Sequence, residues 1–351
     1  MDEMKTLLTE ISRANSLVEL KGLHEKLERK MKEQLKGYNV PEEFVYSLSE
    51  VHDTIVKKAL YFAECETAHS KVGERPKTWC WFVMGSMGRR EATIWTDQDN
   101  GILFDCEQGK EQKCYAYIQQ FAAVGTKYLQ AVGYPFCPGN VMATNPRWCN
   151  SLQDWRKKIY NYLADHFPND IRFLLMAVDM RPIYGEFQLA EEEKQRMTEL
   201  IYQRPIILKR IGEHSLFPKL PLGLFGHFLE ERYGPYYGQF NLKHSGYVQL
   251  INCVKFLCLF ENITAETTLE RIEKLKTKGA IPHALLEDTK YAFLQCLYFR
   301  LKYDAQYGQH DYYIHGEKLN KEERWKLKKV MKTAKKLQRF VLKKAGGMKD
   351  V

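Results

Sequence analysis

The chain has 351 residues, of which 44% are hydrophobic and 28% are charged, and this composition is typical of a folded globular protein. It contains no apolar run of about 18 residues, so the sequence predicts no membrane span. The length predicts two or three domains. Nine cysteines without a CxxC pair indicate reduced thiols, and we expect a cytoplasmic protein.

The net charge of +9 is concentrated near the C-terminus. Residues 316–351 hold thirteen Lys or Arg and four Asp or Glu, so the rest of the chain is neutral, which disfavours a nucleic-acid partner. Apolar residues recur there at helical spacing: Leu327, Val330, Met331, Ala334, Leu337 and Val341. This pattern favours a packed helix with a solvated basic face; the alternative is a dock for an acidic partner or a polyphosphate.

The first 70 residues are predicted to be helical. Ser16 and Glu19 form an S-x-x-E capping box before a helix that Gly37 can end, and Pro41 suits the start of another helix. The central region combines strands and helices: strands at 79–84, at 101–104 and around Val141, and helices over 110–131, 151–165 and 170–182.

Beyond Gly185 the pattern is almost wholly helical. It predicts helices over 187–203, 218–231, 243–261, 266–278, 282–307 and 321–345. Thr267 and Glu270 give a second capping box. The expected fold class is therefore α+β, with an N-terminal helical region (1–70), a mixed-sheet domain (71–185) and a C-terminal helical bundle (186–351).

One stretch, MGSMGRREATIWTDQDNGILF at 84–104, carries a dense set of functional groups. Gly85 and Ser86 follow the first predicted strand, where a glycine lets the backbone approach a ligand and N–H groups can hold phosphate oxygens. Asp97 and Asp99 precede the second strand. Since side chains two apart along a strand point to the same side, we expect the two carboxylates to converge. Such a pair suits Mg²⁺, with Mn²⁺ as the alternative, beside a nucleoside triphosphate.

This stretch resembles a known family signature. GSMGRREATIWTDQDNGILF is similar to the G-S-x-G-R-x-E…D-Q-D-N-x-I pattern of a nucleotidyltransferase family related to the protein-PII uridylyltransferases, within the polymerase-β-like superfamily. The resemblance extends through GYPFCPGNVMATNPRWCNSLQDW, VDMRPIYGE, NLKHSGYVQL, TLERIEKL and LQRFVLKK, and so covers nearly the whole chain.

The resemblance implies roles for individual residues. Gly85 and Ser86 would bind the triphosphate, and Asp97 and Asp99 would bind the metal. Arg89 would contact phosphate or pair with Glu91, and a purely structural ion pair is the other interpretation. The supporting residues are Arg90, Glu91, Gln98 and Asn100. Lys243 is a candidate for reaching the nucleotide from the helical domain, with a solvated surface lysine as the alternative.

A third carboxylate is less evident. Many active members of the superfamily supply one from a neighbouring strand, but YPFCPGNVMATNPRW contains no acid. Asp179 in VDMRP could serve as a catalytic acid, or it could bond Arg181 within its own segment. The sequence therefore leaves two hypotheses open. One is an enzyme that transfers a nucleoside monophosphate from UTP or ATP to an acceptor hydroxyl, with a PII-like signalling protein as the candidate acceptor. The other is a nucleotide-binding regulatory or docking protein that transfers nothing.

Overall fold

A computed structural model describes residues 2–34, 42–165, 167–214, 220–223, 227–307 and 312–347. The chain divides into two compact units. The first comprises Met1–Gln34, Pro41–Ala164 and Met176–Met197, and the second comprises Leu35–Val40, Asp165–Leu175 and Thr198–Val351. The first unit therefore includes residues of both predicted regions, 1–70 and 71–185. Within the described ranges, no helix combines the length and the apolar character needed to cross a membrane.

The helices and strands confirm the predicted α+β class. Up to residue 185 they are α1 (Asp2–Arg13), α2 (Leu17–Gln34), α3 (Glu42–His69), β1 (Thr78–Val83), α4 (Gly85–Gly88), β2 (Asn100–Asp105), α5 (Glu111–Ala131), β3 (Cys149–Ser151), α6 (Leu152–Asp165), α7 (Pro168–Ala177) and β4 (Arg181–Gly185). Beyond it they are α8 (Phe187–Tyr202), α9 (Pro205–His214), β5 (Gln239–Asn241), α10 (Val248–Phe260), α11 (Thr268–Lys278), α12 (His283–Tyr307), β6 (Tyr313–His315) and α13 (Lys321–Gly346).

A mixed four-stranded sheet in the order β3-β2-β1-β4 forms the centre of the first unit. The strands β1 and β2 are antiparallel, with Val83 opposite Asn100, and β4 also runs antiparallel to β1. The strand β3 lies parallel to β2, with Cys149 opposite Ile102. The turn that follows β1 and the residues that precede β2 therefore lie at the same end of the sheet.

Aromatic side chains pack β1 against α5. The Trp81 ring lies 5.3 Å from that of Phe121, and both side chains are fully buried. Gly125 allows the close approach, since a Cβ there would come 2.7 Å from the Trp81 ring. Burying large aromatic surfaces stabilises the unit by about 2 to 3 kcal/mol per side chain.

The second unit is built mainly from helices. The apolar helix α10 contacts α9, α11 and α13, and α12 packs along α13. All six predicted core residues of α13 are buried, which confirms the packed face of that helix. The capping box at Thr267 and Glu270 is also confirmed, because each side chain bonds the other residue's backbone N–H. Docking of a partner on the basic face of α13 stays a prediction.

Several predicted elements are wrong. The helix predicted over 170–182 ends at Ala177, and residues 181–185 form the strand β4 instead. Pro182 suits this strand, because β4 lies at the edge of the sheet. No strand forms at Val141; the strand beside β2 is β3. The described parts of 218–231 form isolated bridges rather than a helix. Gly37 and Pro41, expected at helix ends, lie outside the described residues.

Candidate active site

The helical turn α4 joins β1 to the acidic loop. Gly85 opens this turn with φ +56°, a left-handed conformation that favours glycine. A Cβ at this position would come 2.2 Å from Asp99 Oδ2, so glycine is also required for space. The N–H of Met84 donates to the carbonyl oxygen of Asp99 at 2.8 Å. The turn is thereby held directly against the second acid of the pair.

Asp97 and Asp99 converge, as the alternation of side chains predicts. Both are partly exposed, whereas Gln98 and Asn100 are buried. One ligand atom from each acid lies within 4.8 Å of the other and of the Cys137 sulfur. The Ser86 hydroxyl lies 3.2 Å from that of Thr96, immediately before Asp97. The structure therefore brings the predicted phosphate turn and the two carboxylates to one open surface.

The buried amides fix a second loop beside the acids. Gln98 Nε2 donates to the carbonyl oxygens of Thr126 and Tyr134, at 3.0 and 2.9 Å. Asn100 Oδ1 accepts from the N–H of Ala143 at 2.8 Å. The backbone of the same two residues bonds Pro135 and Val141, each at 3.0 Å. The loop 134–143, which carries Cys137, is thus attached at both ends to the acidic segment.

A buried cluster of charges lies beneath the turn. Arg89 Nε donates to Glu91 Oε2 at 2.9 Å, and Arg89 Nη1 donates to Asp179 Oδ2. The three side chains are 7%, 2% and 1% exposed. Because the guanidinium is charge-paired to both carboxylates and buried, its contacts favour the structural interpretation of Arg89 over contact with a bound phosphate.

Two family models match this chain. The family model "Putative nucleotidyltransferase DUF294" matches residues 25–169, and "Putative nucleotidyltransferase substrate binding domain" matches residues 205–345. Together the two matches cover most of the chain. This chain belongs to the DUF294 nucleotidyltransferase family. None of the curated proteins matches it.

Two other predicted site residues of this DUF294 protein have different surroundings. Asp179 bonds Arg89 rather than Arg181, and among the described residues it is not part of the group formed by Asp97, Asp99 and Cys137. Lys243 belongs to the second unit, where its ammonium lies 6.0 Å from the centre of the Tyr312 ring. The direct catalytic role of Asp179 and the reach of Lys243 to the nucleotide stay predictions.

Sequence reasoning missed Asp53, an acid of α3 that joins three segments of the first unit. It accepts two hydrogen bonds from Arg181, at 2.7 and 2.8 Å, and one from Arg90 at 3.0 Å. Arg181 also donates to the carbonyl oxygen of Met87 in the α4 turn at 2.9 Å. Helix α3 therefore supports the α4 turn, which is the predicted phosphate turn. No local pattern could have indicated a partner that lies 128 residues away.

His52, next to Asp53, was also missed. Burial, together with the neighbouring His24, lowers the pKa of His52 to about 3. The ring is therefore neutral, and its Nε2–H donates to the carbonyl oxygen of Thr93 at 3.1 Å while Nδ1 accepts from the Tyr134 hydroxyl at 2.9 Å. His52 thus connects helix α3 both to the segment that leads to Asp97 and to the loop 134–143.

The low pKa of His52 predicts acid sensitivity. The unfolded chain binds a proton at this residue near pH 6.5 and the folded chain does not, so stability is full above that pH and falls below it. Between pH 7 and 5 we expect a loss of about 2 kcal/mol from this group. Urea unfolding at several pH values should show a shallower pH dependence for His52→Gln than for the native protein. His69→Gln, at an exposed position of α3, should keep the native dependence; an equal slope in all three proteins would contradict the prediction.

Gly85→Ala should impair this DUF294 site without unfolding the domain. The added Cβ meets Asp99, and the positive φ costs about 1 to 3 kcal/mol. Gly109→Ala is a matched control, because Gly109 has φ +85° and an added Cβ there meets no atom within 4 Å. Gly85→Ala should lose at least as much stability as Gly109→Ala in thermal unfolding, because the Asp99 side chain must also shift, but only Gly85→Ala should lose nucleotidyl transfer. Equal transfer by the two variants would contradict the assignment of Gly85 to the site.

Proposed function

We propose that this protein is a Mg²⁺-dependent nucleotidyltransferase that moves a nucleoside monophosphate from UTP or ATP to a hydroxyl of an acceptor. The observation that carries the proposal is the convergence of Asp97 and Asp99 beside the turn at Gly85 and Ser86, in a chain of a nucleotidyltransferase family.

The residues present fit a divalent cation. Asp97 and Asp99 offer carboxylate oxygens, which are the ligands that Mg²⁺ and Mn²⁺ accept in proteins, and Gly85 leaves Asp99 the space that a Cβ would fill. When bound, the cation would neutralise phosphate charge and align the attacking and leaving oxygens. Both acids are partly exposed, so a phosphate could reach them from solvent.

The turn at Gly85 and Ser86 would hold the triphosphate. The first N–H groups of a helical turn have no partner within it, and they favour anionic oxygens. The Ser86 hydroxyl can donate to the same group. Arg89, Glu91 and Asp179 would then act by keeping the turn in place from below, since their charges are paired and buried.

The reaction itself is a substitution at the α-phosphorus. The acceptor oxygen bonds to that phosphorus, the bond to the oxygen that bridges to the β-phosphate breaks, and pyrophosphate leaves. The hydroxyl proton passes to water. The residues of this chain bring the triphosphate and the acceptor into line and stabilise the charge that develops.

We propose that the acceptor is a protein of the PII-like signalling class and that transfer takes place in the cytoplasm. All nine cysteines are free, which supports a reducing compartment. The family description of the second unit as a substrate binding domain supports acceptor recognition by that unit, and Lys243 is the residue that we propose to reach the nucleotide.

The test is a transfer assay on the full chain. The protein is incubated with Mg²⁺, each of the four nucleoside triphosphates labelled at the α-phosphate, and a cell lysate or a purified PII-like protein as acceptor. We expect label on one acceptor and release of pyrophosphate, with UTP or ATP as donor. Nucleotide binding without transfer for every donor and acceptor would contradict the proposal.

A regulatory protein that binds nucleotide without transfer is the second candidate. The places from which a third carboxylate could come favour this candidate. The strand β3 beside β2 consists of Cys149, Asn150 and Ser151, which are not acids, and Asp179 is paired with Arg89. In that case the transfer assay stays negative while the labelled nucleotide still binds, and Asp97→Asn weakens that binding.

A further inference from the structure

Cys137 lies beside the two carboxylates and has no role in the proposed transfer. Its sulfur lies within 4.8 Å of an oxygen of Asp97 and of Asp99, and all three side chains are partly exposed. The bonds that Gln98 and Asn100 make to the loop 134–143 hold the thiol in this place. The group is therefore a mixed one, with two hard oxygen ligands and one soft sulfur ligand.

A thiolate changes which cation such a group prefers. Mg²⁺ takes an octahedron of oxygens, whereas sulfur ligands select Zn²⁺ and chemically similar ions. We propose that Asp97, Asp99 and Cys137 form a binding site for a thiophilic divalent cation of the Zn²⁺ class, which excludes Mg²⁺ from the same carboxylates. The consequence of this binding, inhibition of transfer, rests on the proposed function. The binding of the cation itself needs no nucleotide.

The geometry allows one ion to contact all three ligands. Zinc bonds to oxygen and sulfur are about 2.0 to 2.3 Å long, so two ligand atoms of one tetrahedral ion lie about 3.3 to 3.6 Å apart. The ligand atoms, which all lie within 4.8 Å of one another, therefore have to approach by up to about 1.3 Å through rotation of the side chains. On binding, the sulfur–hydrogen bond of Cys137 is replaced by a sulfur–metal bond, and the proton passes to the buffer.

The experiment uses Cd²⁺ as a spectroscopic probe of Zn²⁺-class binding to the full chain. A Cd²⁺ titration should produce the ultraviolet charge-transfer absorption of a cadmium–thiolate bond. Cys137→Ser should abolish this absorption and weaken Cd²⁺ and Zn²⁺ binding at least about tenfold in calorimetry, because it removes a direct ligand. Cys65→Ser, at another partly exposed thiol, should leave both unchanged.

Persistence of the absorption in Cys137→Ser, or its absence from the native protein, would overturn the inference. Asp97→Asn should weaken the Cd²⁺ signal as well, which separates a three-ligand site from simple attachment to a thiol. Failure of transfer leaves the spectroscopic result intact, and an active transferase without the cadmium–thiolate signal would refute only this inference. In an active protein, Cys137→Ser should also raise the Zn²⁺ concentration that halves transfer.

Discussion

Asp97→Asn and Asp99→Asn are each expected to reduce nucleotidyl transfer at least about 100-fold. Loss of a residue that only orients a metal ligand costs about 10- to 100-fold, and these acids are proposed to be ligands themselves. Asparagine keeps the size of the side chain but removes its charge. The measurement is the rate of label transfer from the α-labelled triphosphate at saturating Mg²⁺.

The same two substitutions should leave the stability of the fold unchanged or raise it. The two carboxylates have oxygens within 4.8 Å of each other, so removing one charge relieves repulsion in the folded state. Thermal unfolding should therefore show no loss for either variant. Asp105→Asn, at the exposed end of β2, is the matched control and should leave transfer unchanged. Transfer within tenfold of the native rate in both site variants would refute the assignment.

Asp53→Ala is expected to destabilise the first unit by about 3 to 5 kcal/mol. The substitution leaves the buried Arg181 guanidinium without its bidentate partner, and an uncompensated buried charge carries a cost of this size. Arg90 loses a partner at the same time. The free energy of unfolding from urea titration, followed by the fluorescence of the buried tryptophans, measures the effect.

Two further variants distinguish the effect of the buried charge from the general effect of shortening a side chain. Glu10→Ala removes a partly exposed ion pair to Lys26 and should cost less than about 1 kcal/mol. Asp53→Leu combined with Arg181→Leu should recover part of the lost stability, because the buried guanidinium is removed together with its partner. A cost for Asp53→Ala as small as that for Glu10→Ala would contradict the role of Asp53.

The parts of the fold that follow local patterns could be predicted from the sequence. The apolar run of β1, the alternation around Asp97 and Asp99, and the periodic face of α13 each depend on neighbouring residues alone. The strand beside β2 could not be placed in this way. Val141 accepts one hydrogen bond from Asn100, as a strand residue would, but the paired strand begins only at Cys149.

Contacts between distant residues account for what the sequence could not predict. Asp179 and Arg181 stand two residues apart in a motif, which suggests a local pair, yet each bonds a different partner across the fold. The sheet determines the partners of both residues, because it places β4 beside β1 and the α4 turn. Cys137 stands in the sequence only as one of nine scattered cysteines, and the folded loop alone shows that it lies beside the acids.

The pairing of Val83 with Asn100 has a consequence for how this site tolerates change in length. Acids and amides alternate from Asp97 to Asn100, so a slip of one residue against β1 would bury both carboxylates and expose both amides. An insertion or deletion between the α4 turn and β2 would thus have to be absorbed before Asp97 for the site to survive. The segment before Asp97 leaves little room for such a change, because Glu91, Thr93 and Ile94 are buried and His52 donates to the carbonyl oxygen of Thr93. The length of this connection is therefore expected to be as fixed as the register of the strands.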